Sequence, residues 1–339
     1  MSSSRETTRS GSTGLIAAMD WGGTWIRTAA VDANGNICWQ DRSPNPKDAS
    51  QTQLVDTARA MLDLAIAQCG GDTPGVGIAV AGPVDAETGA LFDPPNLRAL
   101  DGVSLKTLWE GELGCPVYVG NDATLAALGE FHHGAGREAR EQGAEPKTLV
   151  YMTVSTGIGG GVVDGGQMFV GAGGLAGEVG HMTIDYTDAA PPCLCGNSGC
   201  LEALASGTAI ARIARERVAG PGGSGSSLAA KAASAITSET VFSAAGSGDS
   251  LAQEIIDGAV KALGVGLTNI LHLYNPDLVV LGGGVTVGLE ELGQMGKIRA
   301  MMDERAMSQH HKDFLLTSSR LGDSVGIIGA AAAVQQGLG

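Results

Sequence analysis

The stretch Leu15-Ile-Ala-Ala-Met-Asp-Trp-Gly-Gly-Thr-Trp-Ile-Arg-Thr-Ala-Ala-Val31 decides the fold. Leu15–Met19 is a short apolar run that stops at D-W-G-G-T, residues 20–24, and reads as a buried strand meeting a tight turn. A second strand at Trp25–Val31 runs into D-A-N-G at 32–35, so the spacing predicts a hairpin with its turn chemistry written out. The same order returns near residue 155. Leu149–Val154 is apolar, S-T-G-I-G-G-G follows at 155–161, and Val162–Val163 leads into D-G-G at 164–166. Strand, glycine turn, strand and Asp-Gly turn thus occur twice, which predicts two related α/β domains built on one supersecondary unit.

Outward from these hairpins the remaining elements fall into place. Gln51–Cys69 carries Leu54, Ala58, Met61, Leu62 and Ala65 at helical spacing. Val76–Val80 is a short strand ending at A-G-P-V-D, 81–85; Pro116–Val119 is another, and N-D-A-T at 121–124 opens a helix over 123–131. Pro221–Ser227 reads as a Gly/Ser surface loop. Ala252–Leu273 is a long helix stopped by N-P-D at 275–277, and Leu278–Leu281 is a strand leading into G-G-G at 282–284. Ile327–Gln335 is an apolar, Ala-rich helix that needs a core to cover it, and is expected to return to the first domain.

Composition narrows the partners. Of 339 residues 43% are hydrophobic and 17% charged, an ordinary globular balance over a length that suits two domains. Twenty-one basic residues against 36 acidic give a net charge of −15 with no basic cluster, which argues against nucleic acid or an anionic membrane as partner. If phosphates bind, backbone N–H groups and a metal ion must hold them. Residues 1–14 are Ser/Thr-rich and read as a disordered tail. They show no secretory pattern, and no apolar run is long enough to span a bilayer. Six cysteines are too few for a disulfide scaffold, so the expected location is cytoplasmic.

Four candidate metal ligands lie within twenty residues, as His181, Cys193, Cys195 and Cys200 in H-x11-C-x-C-x4-C. This spacing matches a tetrahedral Cys3His zinc site, and four protein ligands make it closed and structural. The competing readings are unpaired buried cysteines or a disulfide, and C-x-C is an awkward spacing for a disulfide. Glu178 and Glu202 bracket the segment. They are either solvated groups around the site or acceptors for a polyol, since a carboxylate takes two or more hydroxyl hydrogen bonds. A metal-bound imidazole has a fixed orientation and offers its other nitrogen to the same ligand.

The glycine turns carry the other chemistry. At D-W-G-G-T, Gly22 and Gly23 let the backbone approach an anion, Thr24 adds a hydroxyl, and Asp20 is placed to orient a hydrated Mg²⁺. Ser155, Thr156, Gly157 and Gly159 offer a second row of N–H groups. Gly282, Gly283 and Gly284 form a third turn where an adenine ring can lie on the backbone. A single glycine turn is more often only a turn; three at strand ends in two matching halves are the arrangement of the actin-like ATPases. Asp122 follows a strand and opens a helix. It suits a helix cap and equally a general base for a sugar hydroxyl, with Asn121 beside it to hold the substrate. Asn96, after Pro94-Pro95, is a further candidate contact.

Taken together the chain resembles the ROK family of bacterial sugar kinases, near its glucokinases, from about Ile16 to the C-terminal helix. D-W-G-G-T is similar to the family's D-x-G-G-T phosphate motif and S-T-G-I-G-G-G to its second one. A-G-P-V-D, P-N-L and N-D-A resemble its sugar-contacting segments, and G-E-V-G-H with C-x-C-G-x-x-G-C-L-E resembles its zinc signature. The resemblance implies a two-domain actin-like (ribonuclease H-like) fold with an interdomain cleft. Its smaller domain would span 15–120 plus 322–339, and its larger one 121–321 with the zinc segment at 178–202. It implies ATP, Mg²⁺ and a structural Zn²⁺, Asp122 as catalytic base, sugar contacts from Asn96, Asn121, Glu178, His181 and Glu202, and a homodimer. Ser155 stands where glycine is common, Gly120 where an acidic residue often precedes N-D-A, and R-A-L-D-G lacks a frequent tryptophan. The last two bear on the sugar. About fourteen residues before the first strand leave no room for the winged helix-turn-helix of the family's repressors. The expected reaction is phosphorylation of the glucose 6-hydroxyl. Other readings are a kinase for N-acetylglucosamine, N-acetylmannosamine, fructose or mannose, polyphosphate as donor, or a non-enzymatic sugar sensor.

Overall fold

The computed structural model describes residues 14–46, 48–85 and 87–338; all of the expected tail except Gly14 lies outside them. The chain divides into two compact units. One runs to Gly129 and takes in Gly171–Leu175 and Ser324–Gly339; the other comprises Glu130–Val170 and Ala176–Asp323.

In the first unit the order is β1 (Ile16–Trp21), β2 (Trp25–Val31), β3 (Ile37–Pro44), α1 (Gln51–Gln68), β4 (Val76–Val80), α2 (Leu105–Leu113), β5 (Val117–Asn121) and the start of α3 (Asp122–His132). The strands form one sheet in the order β3-β2-β1-β4-β5, antiparallel across the hairpins and parallel from β1 to β5. The second unit carries α4 (Ala135–Glu141), β6 (Thr148–Val154), β7 (Ile158–Asp164), β8 (Gln167–Met168), α5 (Leu201–Ala205), α6 (Gly207–Ala219) and α7 (Ser238–Gly246). It continues with α8 (Ser250–Tyr274), β9 (Leu278–Gly282), α9 (Gly284–Glu291), α10 (Met295–Arg305) and β10 (Leu315–Ser318). Its sheet order is β8-β7-β6-β9-β10, again with antiparallel hairpins and parallel β6-β9-β10. The repeat read in the sequence is therefore a repeat of topology.

The last helix, α11 (Val325–Leu338), belongs to the first unit and lies on β1 and β4. Along β4, Val76, Ile78 and Val80 share a core with Leu54, Ala58 and Leu62 of α1. Side chains alternate across a strand, so Gly77 faces the other way. A Cβ on Gly77 would lie 2.0 Å from the carbonyl oxygen of Ala330, so backbone meets backbone there. The run Ala330–Val334 is buried, which is why this helix is built from alanine: small side chains let it sit directly on the sheet.

Helix ends follow local chemistry. Ser50 and Gln53 form a capping box at α1. Asp249 caps the start of α8, and Asn275 in the left-handed conformation, φ 44°, caps its end. The expected Gly/Ser loop is more ordered than its composition indicates. It winds through short 3₁₀ turns at Gly223–Gly225 and Ser227–Ala230, because Asp249 Oδ2 accepts from Ser226 Oγ (2.8 Å), Ser227 N (2.6 Å) and Ser227 Oγ (2.7 Å). Burial works against charge on Asp249, but these donors and the Ala252 N–H outweigh it and hold the carboxyl at about 2. A depressed carboxylate stabilises above its unfolded pKa and loses that contribution as pH falls through the folded value. Asp249→Ala should therefore cost about 1–2 kcal/mol near neutral pH. In urea melts, the difference from wild type should shrink as pH drops from about 4 towards 2; a pH-independent difference would sink this account. Among the described residues no helix is long and apolar enough to cross a membrane.

Candidate functional site

In the first unit, β1, β4 and β5 end together, with Trp21, Val80 and Asn121 in one row of the sheet. Ligands of parallel sheets gather outside the carboxyl ends of the strands, and the predicted segments follow this row. D-W-G-G-T continues β1, A-G-P-V-D continues β4, and Asp122 comes straight after β5. Hydrogen bonds bind them to each other. Gly22 N donates to Trp25 O (3.0 Å), closing the glycine turn, and Ala81 N donates to Trp21 O (3.1 Å). Asn121 Nδ2 donates to Gly82 O at 3.0 Å, while its Oδ1 accepts from Ala123 N (2.9 Å) and Thr124 N (3.1 Å). Asn121 thus shares the capping of α3 with Asp122, the helix's first residue, whose Oδ1 also accepts from Ala123 N (2.8 Å). Asn96 packs on the glycine turn: a Cβ on Gly23 would stand 2.5 Å from Asn96 Cβ.

Asp20 sits near the end of β1 with Oδ2 3.2 Å from Arg27 Nη1 and α11's Gly326 against its carboxyl. Burial pushes this carboxyl up, against the opposing pull of Arg27. The sequence reading missed Asn45, which braces the turn from outside. Its Oδ1 accepts from Trp21 Nε1 (3.2 Å), its Nδ2 donates to Gly23 O (3.3 Å) and its N–H to Thr24 O (2.8 Å). In the sequence it is one more Asn-Pro loop residue.

The second unit gathers its own predicted residues. β9 pairs with β6 so that Gly282 lies beside Thr153, and the turn at Gly283 (φ 87°) brings Gly284 next to the turn after β6. Ser155, Thr156 and Gly284 line one pocket of about 240 Å³ together with Thr208, Thr237 and Glu239. Gly157 and Gly159, predicted for the same turn, and Gly282 and Gly283 lie outside that lining. The carbonyls of Ser155 and Thr156 accept from Gly207 N (2.7 Å) and Thr208 N (3.3 Å) at the start of α6. Thr208, Thr237 and Glu239 were not foreseen; the only local signal was the capping sequence T-S-E-T at 237–240, which opens α7 on the pocket.

The four predicted metal ligands converge. Their ligand atoms all lie within 4.8 Å of one another, with His181 Nδ1 3.7 Å from Cys193 Sγ and Cys195 Sγ 3.7 Å from Cys200 Sγ. Zinc–ligand bonds of about 2.3 Å to sulfur and 2.0 Å to nitrogen give tetrahedral edges of roughly 3.8 and 3.6 Å, so the donor set fits that ion. All three thiols are free. The knuckle is closed by Cys193 N to Asn197 O (2.7 Å) and Gly196 N to Cys193 O (3.1 Å). Burial pushes the Cys200 thiol up to about 12, so a bound cation would have to displace its proton. His181 uses Nδ1 towards the cysteines and leaves Nε2 facing Glu178, 3.9 Å from Oε2. Glu202 turns the other way: its Oε2 accepts from Ile158 N at 2.8 Å, and its Oε1 is 4.0 Å from Cys193 Sγ.

Known proteins share this build. A model of the ROK family matches residues 16–337. A glucokinase from Halalkalibacterium halodurans is 33% identical over 321 residues, covering 94% of each chain. An N-acetylmannosamine kinase from Shigella flexneri is 32% identical over 320 residues, covering 94% of this chain and 98% of that one. A crystal structure of a ROK family glucokinase from Streptomyces griseus, in complex with glucose and AMPPNP, superposes with a TM-score of 0.77 at 30% identity, over 95% of this chain and all of the other. Two mixed sheets of like strand order, each flanked by helices, are the actin-like ATPase fold.

Proposed function

Because the chain belongs to the ROK family, we propose that it is a hexose kinase transferring the γ-phosphoryl group of ATP to the 6-hydroxyl of glucose. The observation that carries this reading is the placing of Asp122 directly after β5. There Asn121 spends its side chain on capping α3 and holding the Gly82 carbonyl, so the carboxylate next to it has a fixed backbone. A sugar hydroxyl is a weak acid, and Asp122 would take its proton as the phosphoryl group arrives. The turn at 22–24 and the turn at 155–157 would hold phosphates by backbone N–H groups, in a chain whose charge of −15 offers them little else. Mg²⁺, oriented through water by Asp20, would offset charge on the phosphates. Zinc, held by His181, Cys193, Cys195 and Cys200, would have a structural part, fixing His181 and Glu178 as acceptors for sugar hydroxyls.

The comparison with the Streptomyces griseus enzyme supports glucose and ATP. The nearly equal identity to an N-acetylmannosamine kinase supports a second reading, in which an N-acetylhexosamine is the acceptor. The test is a panel of glucose, mannose, fructose, N-acetylglucosamine and N-acetylmannosamine assayed with Mg-ATP and with polyphosphate. Glucose with ATP should give the highest kcat/KM. A higher value for an N-acetylhexosamine would leave the kinase reading standing and remove glucose, and sugar binding without any transfer would favour a sensor.

A further inference from the structure

Ile158, the first residue of β7, is gripped from two sides by neighbours of the metal ligands. Its N–H donates to Oε2 of Glu202, two residues after Cys200, at 2.8 Å. Its carbonyl lies against Gly180, the residue before His181, where an added Cβ would come within 2.0 Å of the oxygen. The turn immediately before it has little freedom left. Ser155 N closes on Gly157 O at 2.9 Å, the carbonyls of Ser155 and Thr156 are tied to α6, and a Cβ on Gly157 would stand 2.5 Å from Glu202 Oε2. The carboxylate therefore occupies the space that any side chain at 157 would need, and it fixes the end of the turn with a charge-assisted hydrogen bond. Of the turn's N–H groups, those of Ser155 and Ile158 are committed inside the protein. Those of Thr156 and Gly157 are the ones an anion would use, and their direction depends on how Ile158 is held.

We infer that Glu202 is a positioning residue for the nucleotide: it transmits the geometry of the Cys3His knuckle to the phosphate-binding turn at 155–157. This rests on the reading of that turn as an ATP site. Glu202 then joins two segments, Oε2 setting the turn and Oε1 facing Cys193 Sγ at 4.0 Å, so nucleotide affinity depends on it even when no sugar is present.

The measurement is binding of ADP with Mg²⁺ by calorimetry, without sugar, on the metal-loaded protein. Glu202→Ala should weaken ADP binding on the order of tenfold, the effect of one lost hydrogen bond to a charged group. Glu202→Gln keeps an acceptor oxygen and should stay within about twofold of wild type. Gly157→Ala, which displaces the carboxylate while leaving all four metal ligands in place, should reproduce the loss, with zinc content at the wild-type level in every variant. ADP binding at wild-type strength in Glu202→Ala overturns the inference, as does loss of zinc from that variant, which would make the knuckle itself the target. If wild-type protein binds no ADP, the nucleotide reading of the turn fails first and takes this inference with it.

Discussion

Asp122→Asn is expected to lower kcat by a hundredfold or more while leaving sugar binding measurable. The substitution keeps size and polarity at the head of α3 but removes the group that can accept a proton. The loss should therefore fall on the transition state and spare the ground state, which the proposed sugar acceptors Glu178 and His181 would still hold. Asn121 makes this a clean experiment. The link to Gly82 belongs to its side chain, which shares the capping of α3 with Asp122, and an asparagine at 122 keeps an Oδ1 that can still accept from Ala123 N. Melting temperature should stay near wild type. Steady-state turnover beside a direct sugar-binding measurement checks the prediction, and turnover close to wild type would mean that another group takes the proton.

The second large effect concerns the metal. Cys200 is fully buried, and the isolated bridge between Thr183 and Cys200 stitches the two ends of the knuckle together at that residue. Cys200→Ser should abolish zinc binding and lower Tm on the order of ten degrees, because the binding free energy of a structural metal is folding free energy. KM for the sugar should rise in the same variant, since the proposed sugar acceptors Glu178 and His181 precede and end the 3₁₀ turn at Val179–His181, next to the knuckle. Metal analysis and a thermal melt suffice to check it. Freshly purified, active wild-type protein that contains no zinc would refute the assignment outright.

How much was legible in the sequence depended on whether a signal was local. The hairpins were, because an apolar run followed by a glycine pair and a second apolar run has few other ways to fold. The knuckle was, because ligand type and spacing lie within one short segment. The edges of elements were less so: α3 takes in Asp122 and His132, one residue beyond the reading at each end, and α8 starts two residues early, where Asp249 caps it. The pocket on α6 and α7 was not legible. Thr208 and Glu239 reach it only because two helices pack beside the glycine turn, and nothing in the residues around them announces a ligand. Asn45 escaped for the same reason, since its three hydrogen bonds run to residues more than twenty positions away.

The resting place of α11 also sets a timetable for biosynthesis. A ribosome releases β1 to β5 first, yet the face of β1 and β4 on which Ala330 lies stays bare until residues 325–338 have left the exit tunnel. By then every strand and helix of the second unit has already been made. The half made first is therefore the half finished last, and for most of translation it presents an uncovered apolar strand face of the kind that chaperones and proteases engage. A chain cut short before α11 could not bury that face, so the first unit completes its fold only once α11 has been made.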